Sequence, residues 1–174
     1  MYTIKKTFFI FSFIVLLITC YAILRKQTMI HALAHIKNSQ DAIALFPKSV
    51  GQIQTRTTDS LAQAQKDIDA ILAIPVKDRT YENTIGAFDD IVGFSNGMIN
   101  ASIAATVDMV YPDDKMREVA RATILETQNF IIDHISLNRE LYNAVKEYAD
   151  RNRQQENLSE EQQYFINKIL LFFT

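Results

Sequence analysis

PDDKMREVARATILETQNFIIDHI, residues 112–135, decides the fold. Met116, Val119, Ala120, Thr123, Thr127 and Phe130 or Ile131 recur at three- and four-residue intervals, the period of a helix with one face turned inward. A buried strand would alternate every second residue, and no such alternation persists here or elsewhere in the chain. Pro112 suits the first helical position, where its missing N–H costs nothing, and Asp113 and Asp114 suit the positive end of the helix dipole. The stretch predicts one long amphipathic helix.

The same period extends in both directions. Upstream, TTDSLAQAQKDIDAILAI places Leu61, Ala64, Ile68, Ile71 and Leu72 on one face and stops before Pro75. VKDR then reads as a short turn, and Thr80 as the cap of a helix through residue 110 with Ile85, Phe88, Ile91 and Val92 inward. Gly93 and Gly97 weaken its middle, each by about 1 kcal/mol relative to Ala. Downstream, SLNRELYNAVKEYAD continues with Leu141, Val145 and Tyr148, and RNRQQEN reads as a polar connection. Ser159 and Gln162 form a capping box for the last helix, EEQQYFINKILLFF. The expectation is an all-α chain, an antiparallel helical array after an N-terminal hydrophobic signal or anchor helix.

Composition agrees. Of 174 residues 48% are apolar, with only four Gly and three Pro, which favours helices over a turn-rich sheet fold. Net charge is −2, and Lys5, Lys6, Arg25 and Lys26 stand in an N-terminal segment without acids. Subtracting those four positive charges leaves the rest of the chain at −6. No basic stripe interleaved with aromatics is present, so no nucleic-acid partner is expected. The lone Cys20 excludes an internal disulfide framework and a cysteine-based zinc knuckle.

Residues 1–26 read as a signal peptide or membrane anchor, residues 27–50 as a stalk and residues 51–174 as the helical domain. The uncharged run is residues 7–24, and its helical stretch from Phe8 to Leu24 would span about 26 Å against a hydrocarbon core of roughly 30 Å. Three readings stay open: an uncleaved anchor, cleavage after Ala22, or a lipoprotein signal ending at Cys20. Each carries the helical domain out of the cytoplasm, exported or anchored in the inner membrane.

HALAH, residues 31–35, sets His31 and His35 four apart, the spacing with which a helix grips zinc. Ala32 stands where the motif H-E-x-x-H has its general base, and His134 lies a hundred residues away. Zinc needs three or four protein ligands, so HALAH reads as a coincidence of spacing. The pairs Asp89–Asp90, Asp113–Asp114 and Glu160–Glu161 point about 100° apart on a helix and form no carboxylate dyad. Asp133 and His134 are neighbours with the same handicap. No catalytic, cofactor-binding or metal-ligating residue is assigned.

Four phrases in order resemble the N-terminal helical region of the thimet oligopeptidase, neurolysin and oligopeptidase A family of zinc metallopeptidases. They are TYENTIGAF at 80–88, with Tyr81 where the family commonly has Phe and Asn83 and Thr84 matching; PDDKMREVA at 112–120; NRELYNAV at 138–145; and LSEEQQYFINKILLFF at 158–173. The resemblance covers roughly residues 50–172. It implies one wall of a deep channel admitting short peptides, and a zinc-binding H-E-x-x-H module hundreds of residues further on. No zinc ligand can be carried over to this chain, so the resemblance implies a region truncated before its catalytic module. It would be inactive alone, awaiting a C-terminal region or a separate chain. The alternative is a membrane-anchored helical sensor ectodomain with Tyr142, Tyr148 and Tyr164 lining a groove.

Overall fold

The computed structural model describes residues 36–92 and 96–173. The hydrophobic segment 7–24, Cys20, His31, His35 and Gly93 lie outside the described residues. The chain divides into two units, Met1–Phe46 and Pro47–Thr174. In the first, helix α1 (Ser39–Ala44) is capped by the Asn38 side chain, which accepts from the Gln40 and Asp41 N–H groups.

The second unit is built on α2 (Val50–Leu72), about 35 Å long at the usual helical rise. It begins seven residues before the expected start at residue 57. Ser49 caps it, and the Gln52 side chain accepts from the Lys48 N–H at 2.7 Å, so a helical start is satisfied upstream of the apolar period. Ile53, Thr57, Ser60, Ile68 and Ile71 are buried along one stripe of α2. After a 3₁₀ turn at Val76–Asp78, a π-helical turn (Tyr81–Gly86) leads into α3 (Ala87–Val92). Thr80 caps that turn through a reciprocal box with Asn83, as expected of Thr80. Of the helix expected through residue 110, the described residues show the π-helical turn and α3 up to Val92, and α4 (Asn96–Val110).

Helix α5 (Asp114–Phe130) carries the buried stripe Met116, Ala120, Thr123 and Thr127, with Val119 half-buried. Pro112 is not its first residue. The Asp113 side chain accepts from the Lys115 and Met116 N–H groups and takes the cap, which leaves Pro112 outside the helix. Nor does α5 run on into the following segment. A π-helical turn (Ile131–Ser136) closes it, and Asn138 then works both ways: its amide donates to the His134 carbonyl at 3.0 Å, and its oxygen caps α6 (Arg139–Glu147). The expected polar connection is also ordered, as a π-helical turn (Tyr148–Asn152) and a 3₁₀ turn (Arg153–Gln155). Helix α7 (Glu160–Phe172) opens on the expected Ser159–Gln162 capping box. All regular structure among the described residues is helical.

Helix α2 packs against α4 and α5 on one side of its length and against α3 and α6 on the other, and α6 also meets α7. The two neighbourhoods differ in chemistry. Around α4 and α5 the buried residues are small or polar: Thr57, Ser60, Ala104, Ala120, Thr123 and Thr127 beside Ile53, Val107 and Met116. The hydroxyls donate to carbonyls of their own helices, Ser60 to Arg56 at 2.6 Å and Thr127 to Thr123 at 2.9 Å, so their burial leaves them satisfied. Asn100 of α4 crosses to Ser60 Oγ at 2.6 Å. Around α3, α6 and α7 the core is apolar: Ile68, Ile71, Ile85, Phe88, Ile91, Leu141, Val145, Tyr148, Ile166 and Ile169. An aromatic group of Phe88, Tyr142, Phe172 and Phe173 closes its edge, with Phe88 and Phe173 ring centres 5.4 Å apart.

This division makes a stability prediction. Ile68 is fully buried, so Ile68→Ala should lower the unfolding free energy by about 2–5 kcal/mol in urea denaturation. Leu125 on α5 is 56% exposed, and Leu125→Ala should stay within about 0.5 kcal/mol of the parent.

Candidate functional site

The most developed polar arrangement lies where the chain reverses between α2 and α3. Within the turn over 76–81 the Arg79 N–H reaches the Val76 carbonyl at 3.4 Å, and partners from far along the chain complete the hydrogen bonding. The Asn152 amide donates to the Val76 and Arg79 carbonyls, each at 2.8 Å. The Arg79 side chain is buried and passes the other way, donating to Glu147 at 2.5 Å and to the Ala144 carbonyl at 3.3 Å. The Glu156 carboxylate accepts from the Tyr81 N–H at 2.9 Å, with its second oxygen at 3.2 Å. Asn83, already in the cap, donates to the Asp78 carbonyl at 3.0 Å.

The π-helical turn makes this grip possible. In an α-helix, residues five apart point about 140° away from each other. The Tyr148–Asn152 turn holds more residues, with i→i+5 hydrogen bonding, and swings Asn152 back toward the side of Glu147. Both then reach the same short segment. Inside the grip, the Tyr148 hydroxyl is buried without a hydrogen bond of normal geometry. Burial first, then the neighbouring Glu156 carboxylate, raises the phenol above its ordinary 10.0. Tyr81 is also raised, by burial and then by the charges of Asp89, Glu161 and Glu82.

Chemically this arrangement binds chain to chain. Arg79 Nη1 and the Asn152 amide are occupied by protein acceptors, and the Arg79 Nε is buried without a partner. A small cleft elsewhere is lined by Pro47, Ile53, Arg56, Thr57, Asn100, Ile103 and Ala104, and brings in no carboxylate, histidine or cysteine. Among the described residues no group of three or more His, Cys, Asp or Glu could hold a metal. His134 is exposed, with its ring stacked on Phe130 at 4.5 Å. Asp89, Asp90, Glu160 and Glu161 are exposed, and Asp113 serves as a cap. The three tyrosines do not line one groove: Tyr148 is fully buried, Tyr142 is half-buried and Tyr164 is 62% exposed. Among the described residues no helix is long and apolar enough to cross a membrane.

Arg79, Glu147, Asn152 and Glu156 carry no signal in the sequence pattern. VKDR reads as a turn, and the Glu147–Asn152 spacing falls off any α-helical face. The one legible clue is Thr80, a cap that marks where the gripped turn ends.

The described fold thus defines an all-α helical unit. No protein-family model matches the chain. It is similar to a thimet-like oligopeptidase of Dictyostelium discoideum, 28% identical over 128 residues. That alignment covers 72% of this chain and 18% of the relative, so the chain spans less than a fifth of the length of the protein it matches.

Two measurements test the grip. Glu147→Ala leaves the Arg79 guanidinium buried without its carboxylate and should cost about 1–3 kcal/mol in denaturant unfolding, with Glu147→Gln costing less because an acceptor remains. The raised Tyr148 phenol holds its proton more tightly in the folded chain than in the unfolded one. Its contribution is therefore intact below pH 10.0 and is lost as pH climbs from there toward the folded value. Alkaline titration of tyrosinate absorbance should show a late step coinciding with unfolding, and Tyr148→Phe should remove that step.

Proposed function

We propose that the helical unit is the N-terminal part of an oligopeptidase of the thimet type and forms one wall of its peptide channel. On this reading the zinc-binding and catalytic residues come from a region beyond this unit or from a separate chain. The hydrophobic segment 7–24 would attach the protein to a membrane, with the helices on the non-cytoplasmic side.

The observation that carries the reading is the 28% identity over 128 residues with the thimet-like oligopeptidase. The architecture supports it in a specific way. The phrases that resemble the family coincide with residues that fix the fold. Thr80 and Asn83 form a capping box, Asn138 caps α6, Leu141 and Val145 are core, and Ser159 caps α7. What is shared is scaffold, which a channel wall must keep even where it contributes no catalytic group. Its role would be to exclude folded proteins and orient extended peptides.

The test is the native product, detected by an antibody raised to residues 50–170, with sequencing past the codon for Thr174. The expected band lies far above the 19.9 kDa of this chain, and the purified product hydrolyses short quenched-fluorescence peptides in a chelator-sensitive way. The 174-residue chain alone should hydrolyse none of them. A product near 19.9 kDa with a stop after Thr174 and no catalytic partner chain, or hydrolysis by the chain alone, would overturn the proposal.

A further inference from the structure

We propose that the turn over 76–81 and the segment over 150–156 that follows α6 form one latch that opens as a unit, below the threshold for unfolding the whole helical domain. The argument starts from reciprocity. Asn152 satisfies two carbonyls of the turn, Glu156 holds its Tyr81 N–H, and the turn's Arg79 reaches back to Glu147 and the Ala144 carbonyl. Neither segment can leave without stripping the other of its partners, so the two share one opening equilibrium.

The latch is shallow. Lys77, Asp78, Thr80, Asp150, Arg151, Gln154 and Gln155 are exposed, and Tyr81 is the parting residue that packs against the apolar core. Its closed state is also imperfect, since the Arg79 Nε is buried without a hydrogen-bond partner. Opening returns the guanidinium to water and lets the π-helical turn relax toward α-helical winding. Below the latch the packing changes character. Ile85, Leu141, Val145 and Tyr148 are at or below 1% exposure and belong to the apolar core, so the opening has a floor.

Hydrogen exchange on the full-length chain tests this. Amides of residues 77–81 and 150–156 should exchange with one common opening free energy, smaller than that of residues 68–72 and 141–145. Asn152→Ala should accelerate both latch segments by the same factor, about tenfold or more, as expected for buried carbonyls losing their donor. Should Asn152→Ala fail to fold, Glu156→Gln gives a milder, equally paired acceleration. Acceleration of 150–156 without 77–81 would overturn the latch. So would latch amides that exchange only at the rate of the core, because no separate unit would then exist.

Discussion

Two backbone carbonyls, those of Val76 and Arg79, govern how this helical unit closes. Within the turn Val76 receives only a long bond from the Arg79 N–H, at 3.4 Å. Asn152 donates to both carbonyls from 73 and 76 residues further along the chain. Those bonds tie the residues that follow α6 to the turn between α2 and α3. The buried Arg79 is tolerable only within this arrangement. Arginine is costly to desolvate, and it persists here because Glu147 and the Ala144 carbonyl receive it from the same helix.

The helices themselves were legible in the sequence, for a physical reason. Amphipathic period, caps and breakers act over a few residues, and Thr80, Ser159, Ile68, Leu141 and Met116 all take the places their local pattern assigns. The departures came where side chains compete for the same local role. Asp113 displaced Pro112 from the helix start because a carboxylate that caps two N–H groups outweighs a ring that merely tolerates the position. Asn138 ended one helix and began another, although the apolar period runs through it. Ser49 and Gln52 started α2 upstream of its apolar residues by satisfying N–H groups, a contribution invisible to hydrophobic periodicity.

The polar grip was illegible for a different reason. Its members are far apart in the chain, and the π-helical turn that aligns Glu147 with Asn152 violates the period used to find faces. Motif spacing instead singles out paired acids and histidines. Where those are described, they prove to be caps or exposed charges. The phrases resembling an oligopeptidase behave consistently with that outcome, since they record where helices start and which faces are buried.

The contrast between the two neighbourhoods of α2 has a consequence for how the sequence can drift. Between α2, α4 and α5 the contact residues are Ser60, Ala104, Ala120, Thr123 and Thr127, whose small side chains let helix backbones lie close together. An added methylene at Ala120, Thr123 or Thr127, away from the small cleft beside Ala104, must spread the helices. At the other end, Ile68, Ile71, Leu141 and Ile166 interdigitate in an apolar cluster where exchanges among Ile, Leu and Met conserve volume. Divergent copies of this unit should thus vary in aliphatic identity at the α3–α6–α7 end while holding residue size nearly constant at the α4–α5 end. Alignment positions that look nondescript, an Ala or a Thr, would then be the ones least free to change.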